Sequence, residues 1–129
     1  MTKGKKTRKY DLEERLIDFA VAIIKISNCL PNNRTGNVLG NQLVKSGTSP
    51  ALNYGEAQSA ESRRDFIHKL KIVLKELRET LICLKIIDRT ALLRNNEILH
   101  ETLKENNELI SIFVKSVETA NKNRVTKKE

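Results

Sequence analysis

Residues 11–30, DLEERLIDFAVAIIKISNCL, decide the fold. Leu12, Leu16, Phe19, Ile23, Ile26 and Leu30 recur in alternating steps of four and three. That spacing lines one face of a helix that packs on other helices. Pro31 ends the segment, and Asn32-Asn33-Arg34-Thr35-Gly36 supplies turn residues. At about 100° per residue, Ile17, Ala20, Val21 and Ile24 make a second apolar stripe beside the first. Only a narrow polar sector around Asp11, Glu14, Asp18 and Lys25 is left. The second stripe needs cover, either from another copy of the chain or from broad contact with two neighbouring helices.

Three further segments carry helical patterning. In the second, about residues 37–60, Leu39, Leu43, Val44, Leu52 and Tyr54 fall at helical spacing, while the small residues Ser46-Gly47-Thr48-Ser49 precede Pro50. Proline removes a backbone donor and crowds the carbonyl four residues back, so a kink or break is expected at Pro50, at about 3 kcal/mol to an ideal helix. The small residues would let a neighbouring helix approach closely. Ser62, with Asp65 three residues on, can cap the third helix, whose stripe of Phe66, Leu70, Val73, Leu77, Leu81 and Leu84 ends near Asp88. The fourth, about residues 95–121, carries Leu99, Leu103, Ile110, Phe113 and Val117. Asn106 occupies a seam position there, where it either fixes register or reaches solvent at an edge. Short connections make successive helices antiparallel. The expected fold is therefore all-α, an up-and-down four-helix bundle over residues 10–121 with basic tails at 1–9 and 122–129.

A chain of 129 residues can bury one core without staples. Its net charge is +8, yet residues 10–121 hold 15 Lys or Arg and 15 Asp or Glu. The excess lies in Lys3, Lys5, Lys6, Arg8 and Lys9 at one end, and in Lys122, Arg124, Lys127 and Lys128 against Glu129 at the other. Polar and unpatterned, these ends read as mobile tails. An even number of antiparallel helices brings both to one pole. Within the body, residues 61–94 carry nine basic and five acidic groups and residues 95–121 two and five, so adjacent helices are expected to present complementary faces. No secretion-signal core follows the first lysines, and no apolar run approaches the ~20 residues that span a bilayer. The expected address is the cytoplasm, with no membrane partner. Cys29 and Cys83 sit in apolar periodic stretches without C-x-x-C spacing and read as reduced, buried thiols.

Asp65-x-x-His68 and Glu97-x-x-His100 look like the acid-x-x-His pairs of di-iron bundles. A turn near Ala91 would set the two histidines ~20 Å apart along the bundle axis, too far to share a metal. Neither cysteine has an adjacent base, no serine has a histidine on its helix face, and no Gly-rich phosphate loop is present. No catalytic residue, metal or cofactor is expected. The nine end cations suit the phosphate backbone of RNA or DNA, with strong salt dependence. Two Tyr and three Phe, none among those cations, leave no stacking platform and hence little sequence preference. Alternatively the tails only confer solubility, and the helix faces recruit a protein partner.

Ser46-Gly47-Thr48-Ser49, Asn53-Tyr54, Glu56-Ala57, Asp65-Phe66-Ile67-His68-Lys69-Leu70, Lys75-Glu76, Glu79-Thr80 and Phe113-Val114-Lys115-Ser116 together resemble the pattern of the 23S rRNA-intervening sequence proteins. These are small bacterial four-helix bundles, and the likeness spans nearly all of residues 10–123. The resemblance implies a left-handed up-and-down bundle that assembles as a homopentamer. It also implies distant kinship with the basic accessory proteins of diversity-generating retroelements, pentamers associated with nucleic acid and a reverse transcriptase. The chain departs from the family pattern at Pro50, at Gly55 in place of arginine, and at Ile82-Cys83 in place of aromatic residues. Asn53 and Glu56, which match it, share a helix face. They either bond to a neighbouring helix or subunit, or line a pocket at a subunit boundary.

Overall fold

The computed structural model describes residues 11–94 and 96–128, with residues 124–128 described by backbone alone. Three helices open on side chains that take up free N–H groups of the first turn. Asp11 Oδ1 accepts from the Glu14 N–H at 3.3 Å, Asn33 Oδ1 from the Gly36 N–H at 2.8 Å, and Ser62 Oγ from the Asp65 N–H at 3.0 Å. They begin α1 (Leu12–Cys29), α2 (Arg34–Gln58) and α3 (Arg63–Arg89); α4 (Glu97–Lys128) follows the turn. No strand occurs among the described residues. α2 starts earlier than its apolar pattern because Asn33, within the expected loop, is its cap. α4 continues through the residues expected to form a mobile tail, its backbone helical to Lys128.

Antiparallel packing closes the bundle in chain order. α1 and α3 each lie against α2 and α4, the α1–α4 seam being the lightest of the four. Leu16, Phe19, Ile23 and Ile26 are all buried, and so are Leu43, Val73, Leu77, Leu84, Leu99, Leu109 and Phe113. Tyr54 of α2 reaches Phe113 of α4 edge-on, with ring centroids 5.7 Å apart at 82°. Gly47 is the crossing point of α1 and α2. The small residues before Pro50 thus admit a neighbour, as their size suggests.

Pro50 does not break α2, which is helical on both sides of it. Its ring is buried. The Ser46 side chain, four residues back, meets the Thr80 hydroxyl of α3 at 2.9 Å. Asn106 is fully buried at the α3–α4 seam. With its amide oriented to donate to the Leu77 carbonyl at 3.1 Å, its oxygen accepts from the Leu81 N–H at 3.2 Å. That bond ties α4 to one turn of α3, so the residue is a register device rather than an edge residue.

One expectation about the cysteines needs correction. Cys83 is buried and its Sγ approaches the Leu39 carbonyl at 3.8 Å, and burial pushes its thiol pKa up. Cys29 is exposed. It lies between Ile26 and Leu30, off the buried stripe, on the last turn of α1.

Candidate nucleic-acid interface

Arg15 sets the register of α1 on α4. Its Nε and Nη2 meet the two carboxylate oxygens of Glu105 at 3.0 and 2.7 Å, and Nη2 also donates to Glu108 at 3.1 Å. This fork raises the Arg15 pKa, chiefly through the Glu105 hydrogen bond. It holds the first turn of α1 against Glu105 and Glu108 of α4, so that Leu12, at the start of that turn, faces the residues of α4 that follow them. Leu12 and Asn123 consequently line one hollow of about 500 Å³ together with Tyr54, Phe66 and Phe113. The described ends of the chain share a pole.

Lys122 is exposed near that hollow. Lys3, Lys5, Lys6, Arg8 and Lys9 lie outside the described residues, as do the side chains of Arg124, Lys127 and Lys128, whose backbone carries α4 onward. Two of the five acids of α4 are used otherwise than the expected complementarity of α3 and α4 has it. Glu105 and Glu108 serve Arg15 of α1, because α4 presents them to the α1 seam. The cations on the outer side of α3 are left without them, a feature visible in the spacing of those cations but assigned at the sequence level to helix pairing.

On α1 the second stripe stays open: Ile17 is 39%, Val21 44% and Ile24 42% exposed, and Ala20 is partly covered. Contact with α2 and α4 does not cover it. Glu56 Oε1 accepts from Lys69 Nζ of α3 at 2.6 Å, a bond to a neighbouring helix. Asn53 instead folds back on its own helix, its Nδ2 donating to the Ser49 carbonyl at 3.0 Å and to Ser49 Oγ at 2.8 Å.

The histidines stand further apart than the sequence estimate. His100 Nε2 lies 3.4 Å from Asp88 Oδ1, near the turn. His68 is twenty residues before Asp88 on α3, which is about 30 Å of helix. The turn between α3 and α4 is not helical, so His100 sits closer to the end of α3 than a continuous helix from Ala91 would put it. No group of three or more metal-binding side chains converges among the described residues. No helix among them is long and apolar enough to cross a membrane.

A family model described as 23S rRNA-intervening sequence protein matches residues 8–115, from before α1 to well into α4. The fold is also that of a crystal structure of a protein of unknown function from the S23 ribosomal protein family of Bacteroides thetaiotaomicron VPI-5482. The two share 32% identity and a TM-score of 0.75 over 81% of this chain and 96% of that one. Among curated proteins none matches. The matched span takes in the Gly47 crossing, the Ser46–Thr80 contact and the Asn106 seam, so the pattern follows the core that makes the bundle, and the chain belongs to the 23S rRNA-intervening sequence protein family.

Proposed function

We propose that the protein is a non-enzymatic homo-oligomer, a pentamer acting in the cytoplasm, that binds RNA or DNA through the cations of its chain ends. The observation that carries this reading is the shared hollow of Leu12 and Asn123, from which both cationic segments spring. Repeated around a ring, they would give a zone of positive potential suited to a phosphate backbone. The open stripe of Ile17, Val21 and Ile24 supports association, and the count of five rests on the family resemblance.

The test compares the full chain with a variant in which all nine end cations are changed to glutamine, measuring retention of RNA and DNA on a native gel. Affinity is expected to fall on the order of 100-fold at ~0.1 M salt, with a shallower salt dependence. Unchanged retention overturns the role of the ends. A second reading, a scaffold that recruits a protein such as a reverse transcriptase, draws on Val38 and Leu52 of α2, 61% and 67% exposed. Oligomers that bind no nucleic acid at low salt would favour it.

A further inference from the structure

The chain-end reading leaves unused a row of cations on α3. Steps of seven from Arg64 give Lys71, Arg78 and Lys85, and the interleaved series from His68 gives Lys75, Ile82 and Arg89. All eight residues are exposed. Their alternating steps of four and three hold them on one face of the helix. The opposite face buries Leu70, Val73, Leu77 and Leu84. At about 1.5 Å per residue the row is about 37 Å long.

No side chain of the six Lys and Arg in the row makes a hydrogen bond or ion pair among the described residues. Lys69, off the row, is the α3 lysine that Glu56 takes up. Glu79, exposed, and Glu76, half-buried and drawn on by Lys75, lie at the row's margin, while Asp65 and Asp88, both half-buried, flank its start and end. Lys71 with Lys75, Lys75 with Arg78 and Lys85 with Arg89 are like charges at helical contact spacing, an arrangement that weakens an isolated helix. Counter-charge from outside the bundle would relieve it.

We propose that this outward face of α3 is a docking surface for the phosphate backbone of a nucleic-acid duplex, acting in addition to the chain ends. The proposal rests on the nucleic-acid reading above and adds to it a rigid, tail-independent element. The row is about as long as one duplex turn, roughly 34–36 Å, so a straight helix laid along the duplex can reach both strands' backbones where they cross it. Its one aromatic ring is His68 near the start, with no Phe, Tyr or Trp among the cations to form a platform for the bases of a single strand. Lys and Arg that reach only phosphates position a duplex without reading its sequence.

The test measures binding of labelled RNA and DNA duplexes of about 20 base pairs to the full chain, to K71Q/K75Q/R78Q, to the end-cation variant and to both combined. K71Q/K75Q/R78Q is expected to lose affinity on the order of 100-fold at ~0.1 M salt, and for DNA its log–log salt slope to become shallower by about 2.7, at roughly 0.9 per phosphate contact. Its oligomeric mass and thermal melt should stay those of the parent, and K71R/K75R/R78K should keep the affinity. Parent-like binding by K71Q/K75Q/R78Q, while the end variant loses binding, overturns the row and leaves the chain-end reading standing. A changed oligomeric mass makes the row a contact between copies and overturns it too. Tighter binding to phosphatidylserine vesicles than to duplex overturns the choice of partner. If the unaltered chain binds no duplex at low salt but retains single-stranded RNA or DNA, the row falls and the chain-end reading stands; if it binds neither, both fall.

Discussion

Gly47 is the residue on which the α1–α2 crossing depends. A β-carbon there would sit 2.7 Å from both Cγ1 and Cγ2 of Ile23, whose side chain is fully buried and has nowhere to turn. Gly47→Ala is therefore expected to cost about 1–3 kcal/mol in urea unfolding, the range for overpacking a filled core. Gly55 on the same helix has nothing within 4 Å of such a carbon. Gly55→Ala should gain about 0.5–1 kcal/mol from helix propensity alone, so opposite signs for the two would isolate packing as the cause. Glu76 adds a titrating residue. Burial first, and then Glu79, raise its carboxyl above the ordinary range, with Lys75 and Lys45 partly opposing. A raised folded-state pKa means that the native chain holds this proton more tightly than the unfolded one. Its stabilising contribution is complete below the ordinary carboxylate range and is lost as pH rises through the raised value. Glu76→Gln should accordingly increase the urea midpoint at pH 7, and the gain should vanish in acid; an equal gain at both would point to packing instead.

Helix ends show how far local chemistry carries. α3 stops at a C-cap in which the Ala91 N–H bonds to the Asp88 carbonyl at 3.1 Å and the Leu92 N–H to the Ile87 carbonyl at 3.4 Å, with Ala91 at φ 53°. That left-handed conformation crowds a β-carbon and favours glycine. Ala91→Gly is expected to raise stability by up to about 1 kcal/mol in thermal or urea melts; a loss would show that the alanine sits there without strain. The turn near Ala91 and the Ser62 cap were legible because a cap depends on neighbours in sequence. Pro50 was legible only in part. The proline rule treats the helix by itself, whereas α2 has 25 residues and is held across Pro50 by tertiary packing, against which one missing backbone bond is small. Asn106 left two readings open at the sequence level. What decides between them is the backbone at Leu77 and Leu81, on another helix and more than twenty residues away.

Across the whole molecule, the bundle and its topology followed from apolar spacing, while the use of charge did not. Totals for adjacent segments suggested that α4 acids answer α3 cations, but pairing depends on which faces meet, and Arg15 of α1 claims Glu105 and Glu108. The open stripe on α1 was legible because it needs only the helical period and a count of neighbours. Its consequence can be checked with Val21→Glu. Val21 sits between Ile17 and Ile24 and is 44% exposed. On the surface of a single chain such a change falls within about 0.5 kcal/mol of neutral. Inside a contact between copies it would bury an unpaired charge, at about several kcal/mol after relaxation. The expected outcome is an unchanged helical signal with the solution mass falling to that of one chain, 14.7 kDa. Assemblies that survive the substitution at micromolar concentration would mean that copies meet through another face, with Ile17, Val21 and Ile24 left in water.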